Sequence, residues 1–532
     1  MRHFLTVLFL MIGASLSAQT VVEKWGCAEL SFRHKAAKNP FDVTLEATFT
    51  NGDKSLTIKG FYDGDDTFRI RFMPTSEGQW HYTTRSSERE LNRQRGIITA
   101  TAPSADNHGP VEVDGLAFRY ADGVRYHPFG TTTYALALFR PEIQEQTIET
   151  LAKTGFNKTR LCVLPKDYPT PHDKPTIFPY ELISKEVDEQ GKEHFVWDTS
   201  RFNPAFFQNL DRRILQLQAL GIEADLILFH PYDRGMWGFD ALSNEEHIRY
   251  LEYLIARVGS YRNVWWSLAN EWDLVKTKRK EDWPILTRVV VAADPYRHLC
   301  SIHGGSAVYF DYHLPEYTHV SFQDEGPLFT QTAAGTMRQI FHKPVICDEY
   351  GYEGNTSMRW ARWSPQVMLH YYTNGIMGGI YVTHGECYND PTREDWVYWS
   401  DGSTLKGQSW QRIAFLRSIV EEAPNPIRLA DISRDEWTST AGEGYYFVYL
   451  GQQIRRSWPF DLPASNSTFG RIKAGDKFRV EIINLWEMTI TPYPVLFEAT
   501  ERLNYRHYDR LHREVQLPET PYLLLRIRKV ES

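Results

Sequence analysis

The chain has 532 residues, a net charge of −8 and a hydrophobic fraction of 42%. That length calls for two or three domains, and the core-forming content excludes a disordered chain. No basic run is present, which argues against a nucleic-acid partner.

In chain order, Met1-Arg2-His3 is a short basic start, Phe4 to Gly13 is apolar, and Ala14 to Ala18 supplies small residues. Residues 1–18 therefore read as a secretory signal peptide. The mature protein is expected to be exported, periplasmic or secreted. It should carry no membrane anchor, because no later apolar run reaches membrane-spanning length.

Residues 19–113 show short alternating runs broken at Asn51-Gly52 and Asp63-Gly64, the spacing of an antiparallel β-sandwich. Pro103 to Pro110 reads as a linker. Residues 114–424 change to strand, helix, strand. Strands are expected near 126–134, 156–164, 222–229, 264–269, 299–302, 320–322, 344–349 and 379–383. Helices are expected at 141–154, 204–220 and 244–258, the last capped by Asn244. A long loop from Lys166 to Asn203 would wall off one end of a cleft. Eight βα units in this length predict a (β/α)₈ barrel. A doubly wound sheet is disfavoured, since no Gly-rich phosphate loop follows the first strand. Residues 425–532 return to short strands and form a small C-terminal β-domain. The fold class is α/β, a TIM barrel between two β-domains. Cys27, Cys162, Cys300, Cys347 and Cys387 show neither C-x-x-C nor zinc-ligand spacing, and buried free thiols are expected.

Two strand ends carry the chemistry. Val264 to Ala269 runs into Asn270-Glu271-Trp272-Asp273, and Pro344 to Cys347 into Asp348-Glu349-Tyr350-Gly351. A buried strand that ends in a carboxylate is costly unless the group has a task. In a parallel barrel those ends hold the catalytic side chains. Glycoside hydrolysis needs two carboxyl groups on opposite sides of the anomeric carbon, about 5 Å apart when configuration is retained. Glu271 and Glu349 are the candidates. His230, His303, Gln323 and His384 end other strands, with Glu386 just beyond and Trp272 beside Glu271. They are expected to bind substrate, with His230 and His384 either contacting sugar hydroxyls or held in structural hydrogen bonds. Three histidines with carboxylates could instead hold a metal. Such a site usually has H-x-H on strand one, where only His127 stands, so neither metal nor cofactor is expected. A non-catalytic carbohydrate-binding barrel is the other alternative, and the presence of both glutamates argues against it.

The Asn270-Glu271 pair and Asp348-Glu349-Tyr350-Gly351 resemble the strand-four and strand-seven motifs of clan A retaining glycoside hydrolases. The resemblance implies Glu271 as general acid/base, Glu349 as nucleophile, Asn270 on the sugar 2-hydroxyl, and Arg160 as the strand-two arginine that keeps the nucleophile ionised. Asn39-Pro40-Phe41 with Gly60-Phe61-Tyr62-Asp63-Gly64 is similar to the N-terminal sandwich of a bacterial branch. The barrels of that branch are apiosidase-like and endo-mannosidase-like, and a carbohydrate substrate is implied. Two positions depart from the clan. Strand six ends Ser321-Phe322-Gln323-Asp324 without the clan's tyrosine, and strand eight ends His384-Gly385-Glu386 without its tryptophan.

Overall fold

The computed structural model describes residues 20–167, 174–390, 395–431, 435–464 and 472–530. The signal-peptide reading of residues 1–18 lies outside them. Two compact units divide at Asn107 and His108, inside the stretch read as a linker.

The first unit is a β-sandwich. A five-stranded sheet carries Leu45–Asn51 beside Gly78–Ser86, and a three-stranded sheet carries Ala28–Arg33 beside Thr67–Phe72. Inward residues of the two sheets meet where Phe49 stacks on Phe72 with centroids 3.9 Å apart. Asn39 caps a short turn at Pro40–Asp42, and Phe41 then packs edge-on against Tyr62 at 5.1 Å.

The second unit contains the barrel. Its strands are β1 (Phe129–Thr132), β2 (Lys158–Cys162), β3 (Glu223–Phe229), β4 (Val264–Ala269), β5 (Cys300–Ser301), β6 (Val320–Gln323), β7 (Val345–Glu349) and β8 (Tyr381–His384). All pair in parallel, in the order β5-β4-β3-β2-β1-β8-β7-β6. The seam between β5 and β6 is bridged by Thr318 N–H to Cys300 O (2.8 Å) and Ser301 Oγ to His319 O (2.7 Å). Burial on both faces explains why these strands read as continuous apolar runs.

Seven helices follow the strands: α1 (Pro141–Leu151), α2 (Pro204–Ala219), α3 (Asn244–Val258), α4 (Asp282–Ala293), α5 (Gln331–Phe341), α6 (Pro365–Gly378) and α7 (Ser409–Glu421). The expectation of eight complete βα units is corrected here, since β5 runs to β6 through a helix-free loop. Helix α3 is capped by Ser243 rather than Asn244, in a reciprocal box with Glu246. The expected long loop is also corrected. Most of it is a hairpin, Tyr180–Val187 with Glu193–Phe202. Trp197 anchors it against Phe239 at 5.2 Å and donates to Trp237 O at 3.0 Å.

A three-stranded sheet at Val111–Tyr126 plugs the bottom of the barrel, with Phe118 against Trp265 and Tyr381, both at 5.4 Å. The C-terminal sheet packs on α5 and α6. Ser439 Oγ donates to Met377 O (2.6 Å), and Gln331 donates to Tyr449 O (3.3 Å). None of the five cysteines is in a disulfide.

Candidate active site

The site is built up from a charged layer inside the barrel. Side chains two apart on a strand share a face, so Lys158 and Arg160 both point inward from β2. Lys158 Nζ lies 2.7 Å from Asp225 and 2.9 Å from Asp348. Ser321 and Thr383 add hydroxyls to Asp348 at 2.6 and 2.7 Å. Burial opposes the charge on Asp348, and Lys158 first, then Arg160, outweigh it and hold the carboxyl well below the ordinary range.

Arg160 is fully buried above this layer. Nη2 donates to Asn270 Oδ1 at 2.7 Å, and Nη1 to Tyr134 Oη at 3.1 Å and Glu349 Oε1 at 3.5 Å. Asn270 Nδ2 donates to Glu349 Oε1 (3.2 Å) and to Tyr232 Oη (2.6 Å). The Tyr134 hydroxyl also donates to Glu349 Oε1. Glu271 Oε2 accepts from Tyr232 at 2.9 Å. A hydrogen-bonded path therefore runs between the two glutamates through Tyr232 and Asn270. Both acids line one cleft of about 790 Å³, with Tyr232, Gln323, Tyr350, Tyr352, Trp360 and Trp363 among its walls.

Two backbone irregularities set this up. Glu271 leaves β4 in the left-handed region, at φ 47° and ψ 53°. On β7, Cys347 pairs with Phe322 and Glu349 with Gln323, so Asp348 is an extra residue. Such bulges recur beside active sites, where they re-aim side chains.

Burial first, and the facing charge of Glu349 second, push the Glu271 carboxyl up to about 7, against the pull of the Tyr232 hydroxyl. Glu349 is corrected relative to the expectation from Arg160 alone. Burial outweighs the guanidinium, and its carboxyl also lies above the ordinary range. The acids differ in their donors. Arg160, Tyr134 and Asn270 converge on Glu349, whereas Tyr232 and Gln323 serve Glu271. The permanent cation of Arg160 and the two further donors favour the charged form of Glu349, and among the described residues no such cation faces Glu271.

The other expected residues divide. Gln323 lines the cleft. His303 is buried behind it, its Nδ1 paired with Ser321 Oγ (3.2 Å), its Nε2 with Gln323 Oε1 (3.3 Å) and 3.9 Å from Glu349 Oε1. Burial pushes the imidazole down to about 3, so it is neutral. His230 does not present a free nitrogen to a sugar. Nε2 donates to Leu164 O at 2.9 Å and Nδ1 accepts from Tyr232 N–H at 3.1 Å, so the ring orients Tyr232. Trp272 turns aside to pack edge-on against Phe310 at 5.1 Å. Asn270 has all its polar atoms engaged within the protein.

His384 and Glu386 are withdrawn from the mouth. His384 stacks on Phe156 at 5.1 Å. The Glu386 carboxylate accepts from the main-chain N–H of Lys406 and Gly407. With Glu353 they bring three ligand atoms within 4.8 Å of one another. Glu353, however, already accepts from Tyr388 Oη (2.7 Å), Gln408 N–H (2.7 Å), Ser409 N–H (3.0 Å) and Ser409 Oγ. That saturates a carboxylate's lone pairs and caps the start of α7, as a helix N-terminus favours. The donors of this segment occupy both carboxyl groups and leave Glu353 no lone pair for a metal. His230, His303 and His384 each have different partners and do not converge on a common ligand position.

Sequence reasoning missed Tyr134, Tyr232 and Tyr352. Each lies two or three residues past a barrel strand end, a position shared with many inert residues.

An eight-stranded parallel barrel with two acids at its mouth defines a glycoside hydrolase scaffold. Residues 115–423 match the family model "Apiosidase-like, catalytic domain", and the chain belongs to that family. Residues 21–87 and 435–528 match two domains of unknown function, DUF5060 and DUF5605. A Bacteroides vulgatus protein, named as a candidate glycoside hydrolase from its crystal structure, is 53% identical with a TM-score of 0.94, over 96% of this chain and 100% of that one. A family 5 glycoside hydrolase from the same species shares the fold at 14% identity and TM-score 0.54, over 80% and 93% of the two chains. No curated protein matches.

Proposed function

We propose that this protein is an exported, retaining glycosidase that cleaves β-linked sugars of a plant, algal or microbial polysaccharide or its oligosaccharides. The observation that carries the reading is the contrast between two acids in one cleft. Glu349 meets a guanidinium, a phenol and an amide, while Glu271, pushed up to about 7, keeps its proton near neutrality.

In the first step Glu349 attacks the anomeric carbon as Glu271 gives its proton to the departing oxygen, leaving a glycosyl ester on Glu349. Glu271, now a base, takes a proton from water, which attacks the same carbon and frees Glu349. Asn270 and Arg160 hold the nucleophile during both displacements. Trp360 and Trp363 offer indole faces to sugar rings. The basic-then-apolar start of the chain supports export.

The test is hydrolysis of a panel of aryl β-glycosides and polysaccharides, with the product anomer followed by NMR. Retention of configuration, loss of turnover in Glu349→Gln and indifference to a chelator support the reading. Inversion, or turnover that survives Glu349→Gln, overturns it.

A further inference from the structure

Two phenols lie side by side beneath the acids. The rings of Tyr134 and Tyr232 stack with centroids 6.3 Å apart and planes 23° from parallel. Each hydroxyl meets one carboxylate, Tyr134 at Glu349 Oε1 and Tyr232 at Glu271 Oε2. Each also receives an N–H, from Arg160 at 3.1 Å and from Asn270 at 2.6 Å respectively.

A phenol has a single proton to donate. With its oxygen already accepting from nitrogen, that proton is directed to the carboxylate. Neither nitrogen can reverse the sense. Arg160 is a permanent donor. The amide of Asn270 is oriented because its Oδ1 accepts from Arg160 at 2.7 Å. Arg160 thus sets the direction of both hydroxyls, one directly and one through Asn270.

Resting on the glycosidase reading, the geometry points to Tyr134 and Tyr232 as a matched pair of positioning residues that place the protons of the reaction. Tyr134 favours the ionised Glu349 needed for attack. Tyr232 fills Glu271 Oε2 with its own hydrogen, so the acid's proton resides on Oε1. In this role Tyr134, from β1, supplies the hydroxyl that strand six lacks. The groups facing Glu271 are Tyr232 from the β3 turn, Gln323 from β6, Glu349 from β7 and Asp273 from its own turn. Those facing Glu349 are Arg160, Tyr134, Asn270, His303, Tyr352 and Glu271.

The experiment is an NMR pH titration of protein labelled with [5-¹³C]glutamate, with Glu271→Gln and Glu349→Gln assigning the two signals. Loss of a donor to a carboxylate raises its midpoint. Tyr232→Phe should raise the Glu271 midpoint by about one pH unit and move Glu349 less, and Tyr134→Phe should do the converse. Tyr312→Phe deletes a buried hydroxyl that donates to Ile302 O at 2.9 Å and should move neither. A Glu271 midpoint unmoved by Tyr232→Phe overturns the assignment, as does a variant whose larger shift falls on the acid that its hydroxyl does not contact. Should Tyr134→Phe fail to fold, Tyr232→Phe, at a half-buried position, decides alone. The titration needs no turnover. Shifted midpoints in a protein inactive on every glycoside would therefore count against the glycosidase reading and not against this one.

Discussion

Lys158→Met removes the ammonium that Asp225 and Asp348 share and replaces it with an apolar chain of similar length. The two contacts are 2.7 and 2.9 Å, and all three side chains are buried. Breaking a buried pair from one side strands the opposite charge, at a cost of about 3–5 kcal/mol. Arg160 compensates only in part, because its Nε stands 3.7 Å from Asp225 and 3.9 Å from Asp348, beyond hydrogen-bond reach, and its other nitrogens are engaged above. The deficit should depend on pH with a definite sign. In the native protein Asp348 is held well below the ordinary range, so its contribution is present above the unfolded value and lost only in strong acid. In the variant a proton must replace the ammonium, and the folded-state value of Asp348 rises above the unfolded value of about 3.9. Folding then takes up a proton, and the variant's stability is fullest below about pH 4 and falls as pH rises. Urea unfolding of wild type and Lys158→Met, followed by tryptophan emission from pH 4 to 8, measures this; Trp265 lies 5.6 Å from the ammonium. A deficit under about 1 kcal/mol at pH 7, or one that does not shrink on acidification, refutes the reasoning.

Three further outcomes are expected. With Glu271 pushed up to about 7, turnover should fall as pH rises through that value and the acid loses its proton; Glu271→Gln should flatten this limb and lower kcat by about 10²–10⁴-fold, least for aryl glycosides with good leaving groups. Gly351→Ala would set a Cβ 2.6 Å from the Trp363 indole, displacing a cleft wall, so KM should rise several-fold with a smaller loss in kcat, and Trp363→Ala should mimic it. Glu386→Gln should leave kcat/KM within about threefold while costing about 1–3 kcal/mol in unfolding experiments, because it loosens the seat of Lys406 and Gly407 without touching the cleft.

The acids, the barrel and the flanking β-domains were legible because each rests on a local pattern. A buried apolar strand that ends in a carboxylate is conspicuous, and the turn signals around Asn51-Gly52 and Asp63-Gly64 mark a sandwich. For His230 and His384 the choice between substrate contact and structural hydrogen bonding was not legible, for a common reason. Each ends a barrel strand, yet strand position does not say whether a ring nitrogen meets water or a main-chain carbonyl, as Leu164 O does for His230. The hairpin at Tyr180–Phe202 was read as loop because alternation such as Leu182-Ile183-Ser184 is imperfect, and the pairing with Val196 and Trp197 settles it. Tyr134 and Tyr232 went unseen because their roles are defined by partners more than 30 residues away, Glu349 for Tyr134 and Glu271 for Tyr232.

Both motifs also pose a geometric problem that composition conceals. Neighbours on a strand point to opposite faces, yet Asn270 and Glu271 both serve the mouth, and Asp348 and Glu349 serve the interior and the mouth on the same side. The chain answers differently in the two places. At β4 a left-handed residue turns Glu271 back over Asn270, a conformation that costs a non-glycine residue about 1–2 kcal/mol. The Trp272 N–H donating to His303 O at 3.0 Å, and Leu274 N–H to Glu271 O at 2.8 Å, hold it there. At β7 the extra residue carries Asp348 past its partner strand, so that it reaches Lys158 while Glu349 regains register with Gln323. A regular strand at either position would send one member of the pair into the helix layer, away from Lys158, Arg160 and the cleft. The two irregularities are therefore what converts a pair of adjacent polar residues into a charged floor with a reactive group above it.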